Sequence, residues 1–215
     1  MSLIIATKIP SAIVVASDRR VTGSDKNEKY EYQFISTDAE QKTFIVANSF
    51  AISYCGNANI NGIPASAHLI KIANNAKSAT STFDIAEVAK KYWIENHIEN
   101  KPSLIISGYN SDGASIIEVK PTNDEIVVHQ KPGDTYGLVY NGETSVAEAI
   151  INLESFQWSL MRIQDAIDLC DLMITTTART LLLQKKQQTV SKEYDLLIIT
   201  NQGAKWVISP AFPLV

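Results

Sequence analysis

Tight turns, more than any other feature, limit what this chain can fold into. Short apolar runs are joined repeatedly by residues that reverse a strand. Pro10-Ser11 separates Leu3 to Lys8 from Ala12 to Ser17, and Asn48-Ser49 closes Thr43 to Asn48 onto Phe50 to Cys55. Asn110-Ser111-Asp112-Gly113 lies between Ser103 to Tyr109 and Ala114 to Val119, and Pro121-Thr122-Asn123-Asp124 precedes Glu125 to His129. Near the end, Asn201-Gln202-Gly203 links Tyr194 to Thr200 with Ala204 to Ile208. Strands joined this closely pair antiparallel, because a parallel pair needs a long crossover.

Between these strand groups the apolar period lengthens to that of a helix. Ala65, Leu69, Ile72 and Ala73 keep a 3–4 spacing behind Pro64, which suits a first turn. Asp84 opens a second helix with Ile85, Val88, Ala89, Tyr92 and Trp93 on one face. Two more are expected at Ser145 to Leu153 and Ile163 to Lys185, the latter with a stripe from Ile163 through Ala166, Cys170 and Ile174 to Leu181. The polar stretch Gly23 to Asp38 reads as a loop or exposed ribbon. The order is strands, two helices, strands, two helices, strands. Each sheet needs its second face covered. The expected fold class is therefore α+β, a single-domain four-layer αββα sandwich with largely antiparallel sheets over residues 1–215.

Composition excludes several roles. With 215 residues, a net charge of −4 and a pI near 5.4, the chain lacks the basic face of a nucleic-acid binder. No run approaches the roughly 20 apolar residues of a membrane span. The apolar start has no basic residue before it and breaks at Pro10, so it does not read as a signal peptide, and a cytoplasmic protein is expected. Cys55 and Cys170 sit in apolar contexts and read as buried reduced thiols, with a disulfide left open. His68, His97 and His129 show no metal-ligand spacing, and no metal or other cofactor is expected.

The chemistry-bearing residues begin at Ser2. Removal of Met1 would leave a serine that carries its own free α-amine, so nucleophile and general base share one residue. Asp18, Lys42 and Gly56 follow at set distances. Read singly they are unremarkable. Asp18-Arg19-Arg20 suits a surface ion-pair cluster, Lys42 a solvated strand-edge lysine, Gly56 a strand end, and Tyr54 a core residue with its hydroxyl at the surface.

Read together, their spacing resembles the front half of a proteasome β-type subunit, including the bacterial ring proteases and the ancestral-β-subunit group. Lys8 stands six residues after Ser2, and Asp18 sixteen after it within Ala16-Ser17-Asp18-Arg19-Arg20-Val21-Thr22. Lys42 precedes a hairpin, Gly56 lies fourteen residues later and Ala58 follows. The element order matches over nearly the whole chain. The stretch from Thr22 to Lys42 is about eight residues longer than is typical of the family.

That resemblance implies an N-terminal nucleophile hydrolase fold and a threonine-type peptidase in which Ser2 replaces the usual threonine. It implies that Lys42 favours deprotonation of the Ser2 hydroxyl and that Asp18 holds Lys42 charged. The freed amine, with an ordinary pKa of about 7.7–8, accepts the proton, and the Gly56 N–H stabilises the oxyanion. Thr22 would bind extended substrate through its backbone. Tyr54 and Ala58 would line the pocket for the side chain before the scissile bond, with Glu40 near its rim. Peptide or unfolded protein would be the substrate, and the partners a homo-oligomeric ring or open helical stack and an unfolding ATPase.

Two stretches depart from the family. Tyr140-Asn141-Gly142-Glu143 replaces a Gly-Ser-Gly string, leaving Asn141 as a hydrogen-bonding partner for the Ser2 amine. Val190-Ser191-Lys192-Glu193-Tyr194-Asp195 replaces the later Asp-x-x-Ser-Gly-Gly, where Ser191 is the substitute hydroxyl. These departures favour a rival reading, a non-catalytic scaffold subunit. A third is a monomeric amidase or peptide ligase of the N-terminal nucleophile type.

Overall fold

The computed structural model describes residues 2–26, 31–153 and 155–209. Leu3–Ile9 (β1) and Ala12–Asp18 (β2) are buried at every position. That explains why their sequences are near-continuous apolar runs and not an in–out alternation. Leu3, Ile5 and Ile9 of β1 face one apolar cluster while Ile4 and Ala6 face another.

Next come Val21–Lys26 (β3) and Glu31–Thr37 (β4), then Thr43–Val46 (β5) and Phe50–Cys55 (β6). The short pair Asn59–Ile60 (β7) and Ile63–Pro64 (β8) leads into two helices, Ala65–Asn75 (α1) and Thr82–Glu95 (α2). Ser103–Asn110 (β9), Gly113–Val119 (β10), Ile126–Gln130 (β11) and Gly137–Gly142 (β12) follow. Ser145–Leu153 (α3) and Ile163–Leu183 (α4) precede the last hairpin, Tyr194–Thr200 (β13) and Gly203–Ile208 (β14).

Two five-stranded sheets result, ordered β12-β1-β2-β13-β14 and β11-β10-β9-β6-β5. Every strand pairing among the described residues is antiparallel. The protein is thus a mixed α+β structure with antiparallel sheets and four α-helices among the described residues.

Three apolar clusters organise these elements. Ile4, Ala6, Ile13, Val15, Leu197 and Ile199 of the first sheet meet Ala51, Cys55, Ile105 and Ile116 of the second. Leu3, Ile5, Val14 and Ala16 pack with Ala166, Cys170, Met173 and Ile174 of α4. Phe44, Ile52, Leu104 and Ile106 pack with Leu69 and Ile72 of α1 and with Ile85, Ala89 and Trp93 of α2. Both cysteines are free and buried.

Several boundaries move for local reasons. The 23–38 stretch forms most of a two-stranded ribbon, β3 with β4. The hairpin strand expected to reach Asn48 stops at Val46, because Ala47 and Asn48 both take positive φ, 47° and 59°, to make the reversal. α2 starts two residues before Asp84. Ser81 is its N-cap, and Asp84 closes the capping box as the third helical residue. α4 ends at Leu183 and not Lys185, since Lys185 turns left-handed at φ 52°. β12 was not expected at all.

Candidate active site

The arrangement around Ser2 starts from backbone register. β1 lies between β2 and β12, with Leu3 opposite Gly142 and Ile4 opposite both Asn141 and Ser17. This puts the start of β1 beside the end of β2, where Asp18 sits. Asp18 Oδ1 accepts the Leu3 N–H at 2.9 Å and the Lys42 ammonium, also at 2.9 Å. Its Oδ2 accepts the N–H groups of Arg20 at 2.9 Å and Ser191 at 3.3 Å. Lys42 donates again to the Arg20 carbonyl at 2.6 Å. Both side chains of this ion pair are fully buried. A buried carboxylate with four donors is well compensated, whereas an unpaired one would be costly.

Ser2 itself is 4% exposed. Its carbonyl accepts the Glu143 N–H at 2.8 Å. Gly142, at φ +105°, passes so close that a Cβ there would lie 1.7 Å from the Ser2 oxygen. Only glycine fits that crossing. The signal in the sequence is a glycine in a strand, which marks close backbone approach.

Gly56 follows β6 in an exposed turn at φ +107°, and no described residue accepts its N–H. Its neighbour Cys55 places Sγ 3.9 Å from the Ser2 carbonyl oxygen, which brings the Gly56 turn to the start of β1. Burial pushes the Cys55 thiol up, with Lys42 opposing that shift.

Asn141 lies on β12, opposite Ile4 of β1. Its amide donates to Ser103 Oγ at 2.9 Å and Glu118 Oε1 at 2.8 Å, bridging the two sheets. Among the described residues no hydrogen bond ties it to Ser2. Glu118 also accepts from Ser103 at 2.7 Å and pairs with His129 at 3.0 Å. The His129 hydrogen bond holds the Glu118 carboxyl below its ordinary range, against its burial. No sequence motif flagged this network, whose members lie on four strands.

The pocket residues are divided. Tyr54 is fully buried in the cluster beneath α1 and α2, and its hydroxyl donates to Glu40 Oε1 at 2.8 Å. Burial first, and Glu40 second, push the Tyr54 phenol far above its usual range. Ala58 packs half-buried against the same cluster. Thr22 pairs with Ile35 in the ribbon, next to a register shift. Tyr54 and Glu40 are thus brought together, and Thr22 lies on a separate two-stranded sheet.

Ser191 secures Asp18 through its backbone, and its hydroxyl donates to the Glu193 carbonyl at 2.6 Å and accepts the Arg19 N–H at 3.1 Å. Lys8 lies at the other end of β1, with its ammonium on the carbonyls of Lys131 at 2.8 Å and Asp134 at 3.4 Å. Behind the ion pair, Ser17, Thr43 and Ser53 form a hydroxyl row between the sheets, with steps of 2.9 and 2.8 Å.

Among the described residues no helix is long and apolar enough to cross a membrane. A scan against protein-family models and a search of curated proteins both return no match to this chain.

Proposed function

We propose that this chain is an N-terminal nucleophile peptidase of the proteasome β type, built as a four-layer αββα sandwich. The observation that carries this reading is the double use of Asp18 Oδ1. By accepting both the Leu3 N–H and the Lys42 ammonium, it sets a fully buried ion pair one peptide bond from Ser2. The layered fold is supported by the three apolar clusters, one between the sheets and one under each helix pair.

Once Met1 is removed, the Ser2 α-amine takes the proton of the Ser2 hydroxyl as Oγ attacks the substrate carbonyl. Lys42 stabilises the developing alkoxide, and Asp18 aims Lys42 through their 2.9 Å hydrogen bond. The Gly56 N–H, which no described residue accepts, donates to the tetrahedral oxyanion. One such donor is worth about 3–4 kcal/mol in other hydrolases. The amine then gives its proton to the leaving nitrogen, the C–N bond breaks, and an ester to Ser2 remains. Water, deprotonated by the same amine, hydrolyses that ester. The reaction as written needs neither metal nor organic cofactor. Its substrate is peptide or unfolded protein, and the reading brings with it a cytoplasmic homo-oligomer, ring or open stack, supplied by an unfolding ATPase.

Asn141 favours a second reading, a scaffold subunit without chemistry. Its amide is engaged with Ser103 and Glu118, so it is not a free donor at the nucleophile.

Intact mass after exposure to a β-lactone separates the two. The peptidase reading expects a chain beginning at Ser2 with one adduct, and no adduct in Ser2→Ala. A retained Met1, a trimmed chain without adduct, or an adduct that survives Ser2→Ala overturns it and leaves the scaffold.

A further inference from the structure

At the end of β1 away from Ser2, residues 133–136 and 156–159 line an open pocket of about 440 Å³. That volume lies within the range that takes small ligands. Six strand steps of about 3.4 Å separate Lys8 from Ser2, roughly 20 Å, so this pocket is distinct from the proposed nucleophile.

Three half-buried aromatic residues line it, Tyr136, Phe156 and Trp158. The rings of Phe156 and Trp158 have centroids 5.1 Å apart and are tilted by 39°, so they make an open corner and not a closed stack. Among the described residues, Asp134 is the only charged one in the lining. Its Oδ2 accepts the Lys131 N–H at 2.9 Å, and among the described residues its carboxylate has no further hydrogen bond and no ion pair. Lys8 is the neighbouring cation, but its ammonium bonds the Lys131 and Asp134 carbonyls and not this carboxylate.

Aromatic faces carry a negative quadrupole and attract cations, most strongly weakly hydrated ones. A carboxylate beside such a corner adds a full counter-charge. We propose that this pocket binds an organic cation with a quaternary ammonium head, free or at the end of a side chain. Phe156, Trp158 and Tyr136 supply the ring faces and Asp134 the opposite charge. An uncharged ligand of the same shape fills the corner without using Asp134, so selectivity for charge is the signature.

The test titrates the full chain with choline and, separately, with 3,3-dimethylbutan-1-ol, its uncharged isostere, following backbone amide NMR shifts. Choline is expected to shift residues 133–136 and 156–159 and to bind at least about tenfold more tightly than the alcohol. Asp134→Asn should weaken choline about fivefold and leave the alcohol unchanged, and Trp158→Phe should weaken choline less than Trp158→Ala. A trimethyllysine peptide binding more tightly than choline assigns the cation to a polypeptide side chain, and equal binding assigns a free small molecule. Equal affinity of choline and the alcohol, or shifts that map elsewhere, overturns the proposal. That comparison uses the unaltered protein and stands even if a variant fails to fold.

Discussion

Two lysines are buried against β1, one at each end, and they are kept in different ways. Lys42 has a carboxylate partner, Asp18, and both groups are fully buried. Lys8, 3% exposed, has only carbonyl oxygens as hydrogen-bond acceptors among the described residues. Burial accordingly pulls the Lys8 ammonium below its ordinary range, with Asp134 opposing from a distance. A carbonyl dipole satisfies an N–H, but it does not neutralise a charge. Spacing from Ser2 selected both lysines, and the partners separate them.

The sharpest way to break the comparison is to remove one partner of the buried pair. Asp18→Ala leaves the Lys42 ammonium uncompensated and removes the acceptor of three backbone N–H groups, at an expected cost of about 3–5 kcal/mol in urea unfolding. The double variant Asp18→Asn with Lys42→Met should recover much of that loss, because the stranded charge is gone. If Asp18→Ala costs less than 1 kcal/mol, the pair is not the buried keystone described above.

Gly142→Ala comes next. A positive φ in a residue with a side chain costs about 1–3 kcal/mol, and the contact with the Ser2 carbonyl adds to it. Gly56→Ala has the same backbone strain and nothing within 4 Å of its added carbon, so it should be the milder of the two. A thermal melt that ranks them in reverse would refute the close crossing at Ser2.

The smallest effect belongs to Lys8→Met, about 1–2 kcal/mol for hydrogen bonds from a charged donor. Its pH dependence is the more telling readout. A lysine whose folded pKa is depressed binds fewer protons when folded, so unfolding free energy rises with pH between the folded and unfolded pKa values. Wild type should gain stability relative to Lys8→Met as pH climbs toward the unfolded value of about 10.4. A flat difference would place that ammonium in water.

Periodicity and turn residues made most of the hairpins and all four helices legible, because each is written in contiguous residues, but not the two-residue strands of the β7–β8 pair. Gly137–Gly142 was not legible as β12. It is short, begins and ends in glycine, and has only Leu138, Val139 and Tyr140 to show as an apolar run, so the turn residues Pro132-Gly133-Asp134 before it and Asn141-Gly142 at its end bracket no clear strand pattern. Its pairing with β1 is set by partners 129 to 139 residues away. The same limit applies at the site. The Asp18, Lys42 and Gly56 positions could be picked from spacing, and the structure places Asp18 on Lys42. The Asn141 contacts were not legible, because its amide answers to Ser103 and Glu118, on strands that no local pattern connects to it. Tyr54 shows the remaining ambiguity, since an aromatic residue at a strand end fits a pocket wall and a core equally well until its neighbours are known.

The hydroxyl row of Ser17, Thr43 and Ser53 carries a consequence for the ion pair beside it. Ser17 precedes Asp18 and Thr43 follows Lys42, and in both links either oxygen can be the donor. The whole row can therefore reverse its polarity by rotating protons alone, with every heavy atom in place. Such a chain answers a change of charge within the interior as a reorientable dipole, and its members polarise one another. The layer between the sheets holds a buried apolar cluster, yet next to Lys42 it has some of the electrical compliance of water.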